Sequence, residues 1–118
     1  MSVEPIKRSI SFFLHGEEIE PYPITLATNS IVEYLITLDM PHIIYRYRPI
    51  DDGYLSSIEL SGPNTKSFKV DLIKPTEKHP TSFGIVFKTA LWGGSDVFLV
   101  MKLANGIIHK RTLKVEVT

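Results

Sequence analysis

Apolar residues recur at every second position in short runs, and Gly, Pro, Asn and Asp separate the runs. Ile10, Phe12 and Leu14 form one run, ended by His15-Gly16. Val32, Tyr34, Ile36, Leu38 and Met40 form the longest, with Glu33, Thr37 and Asp39 among the intervening residues and Pro41 at its end. Ile43, Tyr45 and Tyr47 alternate with Arg46 and Arg48; Phe68, Val70 and Leu72 alternate with Lys69 and Asp71. Phe83, Ile85 and Phe87 follow a loop from Lys74 to Ser82, and Leu113, Val115 and Val117 alternate with Lys114 and Glu116. A period of two puts successive side chains on opposite faces of a half-buried strand. Short strands at regular spacing, with turn signals between them, build a sandwich or barrel. The pattern therefore predicts an all-β chain, an immunoglobulin-like antiparallel β-sandwich of about seven to eight strands. Residues 1–118 form a single domain.

One segment competes with this reading. Ser30-Ile31-Val32-Glu33 has the arrangement of a helix capping box, and Ile31, Val32, Leu35 and Ile36 would share a helical face. The strand is preferred because the period-two match is longer and β-branched residues fit a pleated surface better.

Asn105-Gly106 marks a hairpin, because a two-residue Asn-Gly loop supplies the positive φ angles of a type I′ turn. It joins strand 97–103 to strand 107–117. Such a turn places Phe98 opposite Leu113 and Val100 opposite Arg111, so Phe98 and Val100 share the core face with Leu113, Val115 and Val117. Val97, Leu99, Met101 and Leu103 then occupy the other face. A sandwich strand needs one apolar face, and burying one Leu or Met side chain is worth about 1.5–3 kcal/mol. Something must cover the second face: another protein, the N-terminal strand, or the core itself if a bulge shifts the register. The expectation is a partner-binding surface centred on Val97, Leu99, Met101 and Leu103, with Trp92 near its rim.

Composition narrows the function. The chain has 118 residues, 43% apolar and 22% charged, enough for one core without staples. Thirteen basic residues match thirteen acidic ones. Nucleic-acid binding and anionic membrane surfaces both favour a basic excess, so neither is expected. There is no cysteine, which removes disulfides, thiolate metal sites and thiol nucleophiles. No apolar stretch approaches the roughly 20 residues that span a bilayer, so membrane insertion is not expected. Met1–Pro5 lacks the charged-then-apolar order of an export signal, which leaves a cytoplasmic protein or one whose signal was removed.

Motifs for catalysis are missing. His15, His42, His79 and His109 show no metal-ligand spacing. Ser56-Ser57 and Ser95-Asp96 lack a nucleophile elbow. Gly93-Gly94 lacks the Lys and helix of a phosphate loop. Asp51-Asp52-Gly53 lacks the later ligands of a calcium loop. The alternation Tyr45-Arg46-Tyr47-Arg48 has the interleaving of single-strand binders, but an ordinary strand with a snorkelling basic face accounts for it. No enzyme activity and no cofactor are expected.

Between residues 28 and 117 the chain resembles the Z subunit of the Sox thiosulfate-oxidation carrier complex. The likeness rests on Asn29–Glu33 running through Thr37-Leu38 to Met40-Pro41-His42, the Tyr45-Arg46 pair, Ser67–Leu72, His79-Pro80 before Phe83–Phe87, Asn105-Gly106, and Leu113–Val117. Residues 6–14 and Trp92 are departures from it. The Y subunit of that complex is similar around Asp96-Val97 and Val115–Thr118, but it carries a Cys on a C-terminal arm that has no counterpart here. The resemblance implies a non-catalytic scaffold in the periplasm, paired sheet-to-sheet with a cysteine-bearing carrier. Without it, the same residues describe a free-standing immunoglobulin-like adhesion or assembly module. Self-association is the other form the partner could take.

Overall fold

The computed structural model describes residues 4–13, 21–39, 55–62, 65–76, 78, 82–103 and 108–118. Eight strands run through them: β1 (Ile6–Phe13), β2 (Tyr22–Leu26), β3 (Ile31–Asp39), β4 (Leu55–Ser61), β5 (Phe68–Ile73), β6 (Ser82–Thr89), β7 (Gly93–Leu103) and β8 (Ile108–Val117). They form two four-stranded sheets, ordered β1-β3-β6-β5 and β2-β8-β7-β4. The architecture is the expected immunoglobulin-like β-sandwich. It departs from a wholly antiparallel one at two edges, because β1 joins β3 and β2 joins β8 in parallel.

The period-two runs among the described residues became strands because each buries its apolar set between the sheets. Val32, Tyr34, Ile36 and Leu38 of β3 face Ile24, Leu26, Leu113, Val115 and Val117 across the core, with Phe68, Phe83, Ile85 and Phe87 beside them. Phe87 lies near the middle. Tyr34 and Phe68 meet it edge-on, with ring centroids 5.8 and 5.9 Å away, the arrangement that the quadrupoles of aromatic rings favour. The Ser30 capping box starts no helix: Ile31–Asp39 is strand throughout. Instead the Thr89 hydroxyl, buried at the end of β6, donates to the Ala27 carbonyl and accepts from the Ser30 amide at 2.8 Å. This ties the turn before β3 to β6, with Asn29 in the left-handed region at φ 52°.

Strands β2 and β4 carry only short alternations, Tyr22-Ile24-Leu26 and Ile58-Leu60, too brief to have been expected as strands. β2 is only five residues long and begins Tyr22-Pro23. Among the described side chains of β4, Ile58 is the buried one, and the register shifts between Leu55 and Ser57. The strand expected around Ile43–Tyr47 lies outside the described residues, as does the Asn105-Gly106 turn.

The β7–β8 register corrects the expected faces. Val97 pairs with Leu113, Phe98 with Thr112 and Leu99 with Arg111, one residue away from the alignment that a two-residue Asn105-Gly106 turn imposes. A one-residue slip moves every side chain to the opposite face. Val97, Leu99 and Met101 are accordingly 0% exposed and belong to the core, while Phe98 and Val100 lie on the outer face. The register change, with no bulge among the paired β7–β8 residues, is what places Val97, Leu99 and Met101 inside and leaves Phe98 outside. The N-terminal strand instead joins the edge of the opposite sheet.

Candidate protein-binding surface

Of the residues expected to meet a partner, Val97, Leu99 and Met101 have no surface to offer. Leu103 ends β7 opposite Leu55, and its side chain lies outside the described ones. Trp92 is different. It sits with Leu91 in the short crossover from β6 to β7, where the chain passes from one sheet to the other. The two side chains are 80% and 58% exposed.

The crossover is held rather than loose. The Ala90 amide donates to the Ser67 carbonyl at 2.8 Å, and the Ser67 hydroxyl donates to the Trp92 carbonyl at 3.3 Å. The Ser67 amide in turn donates to the Thr65 hydroxyl at 3.2 Å. Gly93 follows with φ 151°, in the region that favours glycine. A Cβ at Gly93 would fall 2.2 Å from the Ser67 Oγ, so the position needs glycine twice over. Behind Trp92 a shallow hollow opens on the outer face of β7 and β8, lined by Gly94, Asp96, Lys114, Glu116 and Thr118. Gly94, which has no side chain, forms part of its floor. The sequence marked Trp92, but the role of Ser67 could not be read from it, because Ser67 and Trp92 are 25 residues apart.

Nothing in the described residues assembles chemistry. Among them, no group of three His, Cys, Asp or Glu could hold a metal ion, and no helix is long and apolar enough to cross a membrane. Asp96 and Ser95 lie on β7 without a histidine partner. His109 is half-buried opposite Met101, and that burial lowers its pKa from 6.5. His15, His42, His79, the Asp51–Gly53 turn and the Tyr45–Arg48 run fall outside the described residues. Arg111, opposite Leu99, turns its guanidinium over the Phe12 ring at 4.9 Å. Its Nε is buried with no hydrogen-bond partner, so the contact is a packing and cation–π one.

The class these observations define is an immunoglobulin-like β-sandwich. No protein-family model and no curated protein sequence matches the chain. Solved structures do. The cysteine protease inhibitor EhICP2 from Entamoeba histolytica superposes with a TM-score of 0.52 at 14% identity, over 95% of this chain and 97% of that one. PbICP-C in its complex with falcipain-2 gives 0.49 at 12% identity, over 92% and 98%; amebosin gives 0.44 at 18%, over 98% and 100%. The first of these likenesses establishes the fold.

The findings correct the Sox reading. The solved structure that establishes the fold is a cysteine protease inhibitor and not a sulfur-carrier subunit, so sulfur oxidation, thiosulfate and a cysteine-bearing carrier partner have no support. The physical reason is that alternating strands and an Asn-Gly hairpin belong to any sandwich of this type. They report how a sheet is built rather than what binds to it.

Proposed function

We propose that this chain is a free-standing, non-catalytic protein-binding module that docks on its target through the Leu91-Trp92 crossover, and that its targets are cysteine proteases. The observation that carries the binding reading is the exposure of Trp92 on a clamped backbone. A tryptophan almost wholly in water is costly to leave uncovered, and tryptophan leads the residues that anchor protein interfaces. The Ser67 hydrogen bond and the Gly93 conformation fix the crossover before binding, so little further ordering is lost on association. The choice of cysteine proteases as the target class is supported by what EhICP2 is described as inhibiting.

The test is titration of the purified chain against a panel of active-site-titrated cysteine proteases, followed by peptide-substrate hydrolysis and by calorimetry, with Trp92→Ala alongside. The expected result is reversible, stoichiometric loss of protease activity with at least one panel member, and binding about 30-fold weaker for Trp92→Ala, the loss expected of an interface anchor. Full protease activity at saturating inhibitor across the panel overturns the target class. Unchanged affinity of Trp92→Ala overturns the docking site.

A further inference from the structure

We propose that the outer face of the β2-β8-β7-β4 sheet is a self-association surface, on which a second copy of this chain docks about a two-fold axis running along the strands between β7 and β8. The inference is independent of the reading of Trp92.

The face is built by register. Outward from the sheet, Asp96 lies beside Lys114, Phe98 beside Thr112 and Val100 beside Lys110, with Glu59 next to Val100 on β4. Phe98 at the centre is 46% exposed, and Ile108 at one end is 53% exposed. Among the described residues this is the stretch of β7 whose outer side chains are apolar; Asp96 and Lys114 bound it at one end, and Lys102 opposite Ile108 at the other.

The arrangement is self-complementary. A two-fold axis between β7 and β8 carries β7 of one copy over β8 of the other at the same level along the strands. Lys114 then meets the partner's Asp96, and Asp96 meets the partner's Lys114. Phe98 covers the partner's Thr112. Lys110 lies over the partner's Val100, next to the partner's Glu59. Isologous interfaces repeat each contact twice in this way. Within one copy, no ion pair joins Asp96 to Lys114 among the described residues, although the two are cross-strand neighbours. Both remain available to an opposing face.

The size of the face sets the strength. Strands of five, ten, eleven and seven residues, about 4.8 Å apart and rising about 3.3 Å per residue, present roughly 500 Å². A stable complex covers about 800 Å² on each partner. The dimer is therefore weak and concentration-dependent.

Sedimentation velocity over a concentration series tests this. The wild type should shift from the 13.4 kDa monomer toward the dimer as concentration rises. Asp96→Lys and Lys114→Asp should each weaken self-association at least about tenfold, because each places like charges opposite one another twice. An equimolar mixture of the two variants should recover it, since the mixed dimer restores both attractive pairs. The doubly swapped variant D96K/K114D, whose own cross-strand pair is kept, should self-associate like the wild type, and it serves if either single variant fails to unfold cooperatively. A wild-type mass that stays monomeric up to about 1 mM overturns the proposal. So does a mixture no tighter than its components, or a doubly swapped variant that does not associate.

Discussion

The two faces of β7 carry side chains of the same kind and have opposite fates. Val97, Leu99 and Met101 are wholly buried between the sheets; Phe98, between Val97 and Leu99 on the same backbone and larger than any of them, stands nearly half in water. Hydrophobicity does not separate the two sets. The neighbouring strand does. β8 has one unambiguous core set, Leu113, Val115 and Val117, and pairing Val97 with Leu113 rather than with Thr112 decides which half of β7 joins it. A strand apolar on both faces is thus a strand whose own sequence is silent about its orientation.

Substitutions on the two faces sharpen the contrast. Leu99→Lys should have the largest effect, since it places an unpaired charge in the centre of the core. A cost above about 4 kcal/mol is expected from lost burial and charge desolvation together, and the variant should lack a cooperative thermal transition. If instead Leu99→Lys folds and Phe98→Lys does not, the faces are as the Asn105-Gly106 hairpin suggested and the register is wrong.

Phe87→Ala comes next, because its ring is fully buried and contacts Tyr34 and Phe68 edge-on. It should cost about 3–5 kcal/mol, read as a fall in the urea midpoint at constant slope. Phe98→Ala, by contrast, should cost about 1 kcal/mol or less, in keeping with an outer-face position.

The crossover gives a third, smaller effect. Gly93→Ala meets both an unfavourable φ and the Ser67 hydroxyl. It should cost about 1–3 kcal/mol, the range for backbone strain at a special conformation. The double variant with Ser67→Gly should regain part of this, because the clash is removed while the strain in φ stays. Equal midpoints for the single and double variants would show that the hydroxyl is not the obstacle.

The smallest expected effect is a pH dependence at His109. Its folded-state pKa lies below 6.5 because half-burial disfavours the charged imidazole. The unfolded chain therefore binds the proton more readily. The contribution is fully present above 6.5 and is lost as pH falls through the unfolded and then the folded pKa. His109→Gln should flatten that part of the stability curve, measured as chemical-denaturation midpoints between about pH 7 and pH 5. An identical slope in the variant would assign the dependence elsewhere.

Much of the architecture was legible because it depends on local periodicity. The runs at Val32–Leu38, Phe68–Leu72, Phe83–Phe87 and Leu113–Val117 each became a strand with the expected residues inward. The weak strands were not legible: β4 buries little, and Pro23 in β2 argues against a strand while sitting at a tolerated sheet edge. For the candidate site, Trp92 stood out as a lone tryptophan in a loop. Its clamp depends on Ser67, brought to the crossover only by the packing of β5 against β6. The resemblance to the Sox carrier failed for the converse reason: its motifs were the period and turn chemistry shared by sandwiches in general.

The sequence by itself determined that this chain is all-β and cysteine-free, since these follow from side chains alternating with period two and from composition. Only the tertiary structure decided that Val97, Leu99 and Met101 lie inside and that Phe98 lies outside. It also decided that Leu91 and Trp92 project from a fixed crossover. Register between strands and contacts between residues far apart in the chain are set by how two sheets close over a shared core, and no local pattern within either strand encodes that closure.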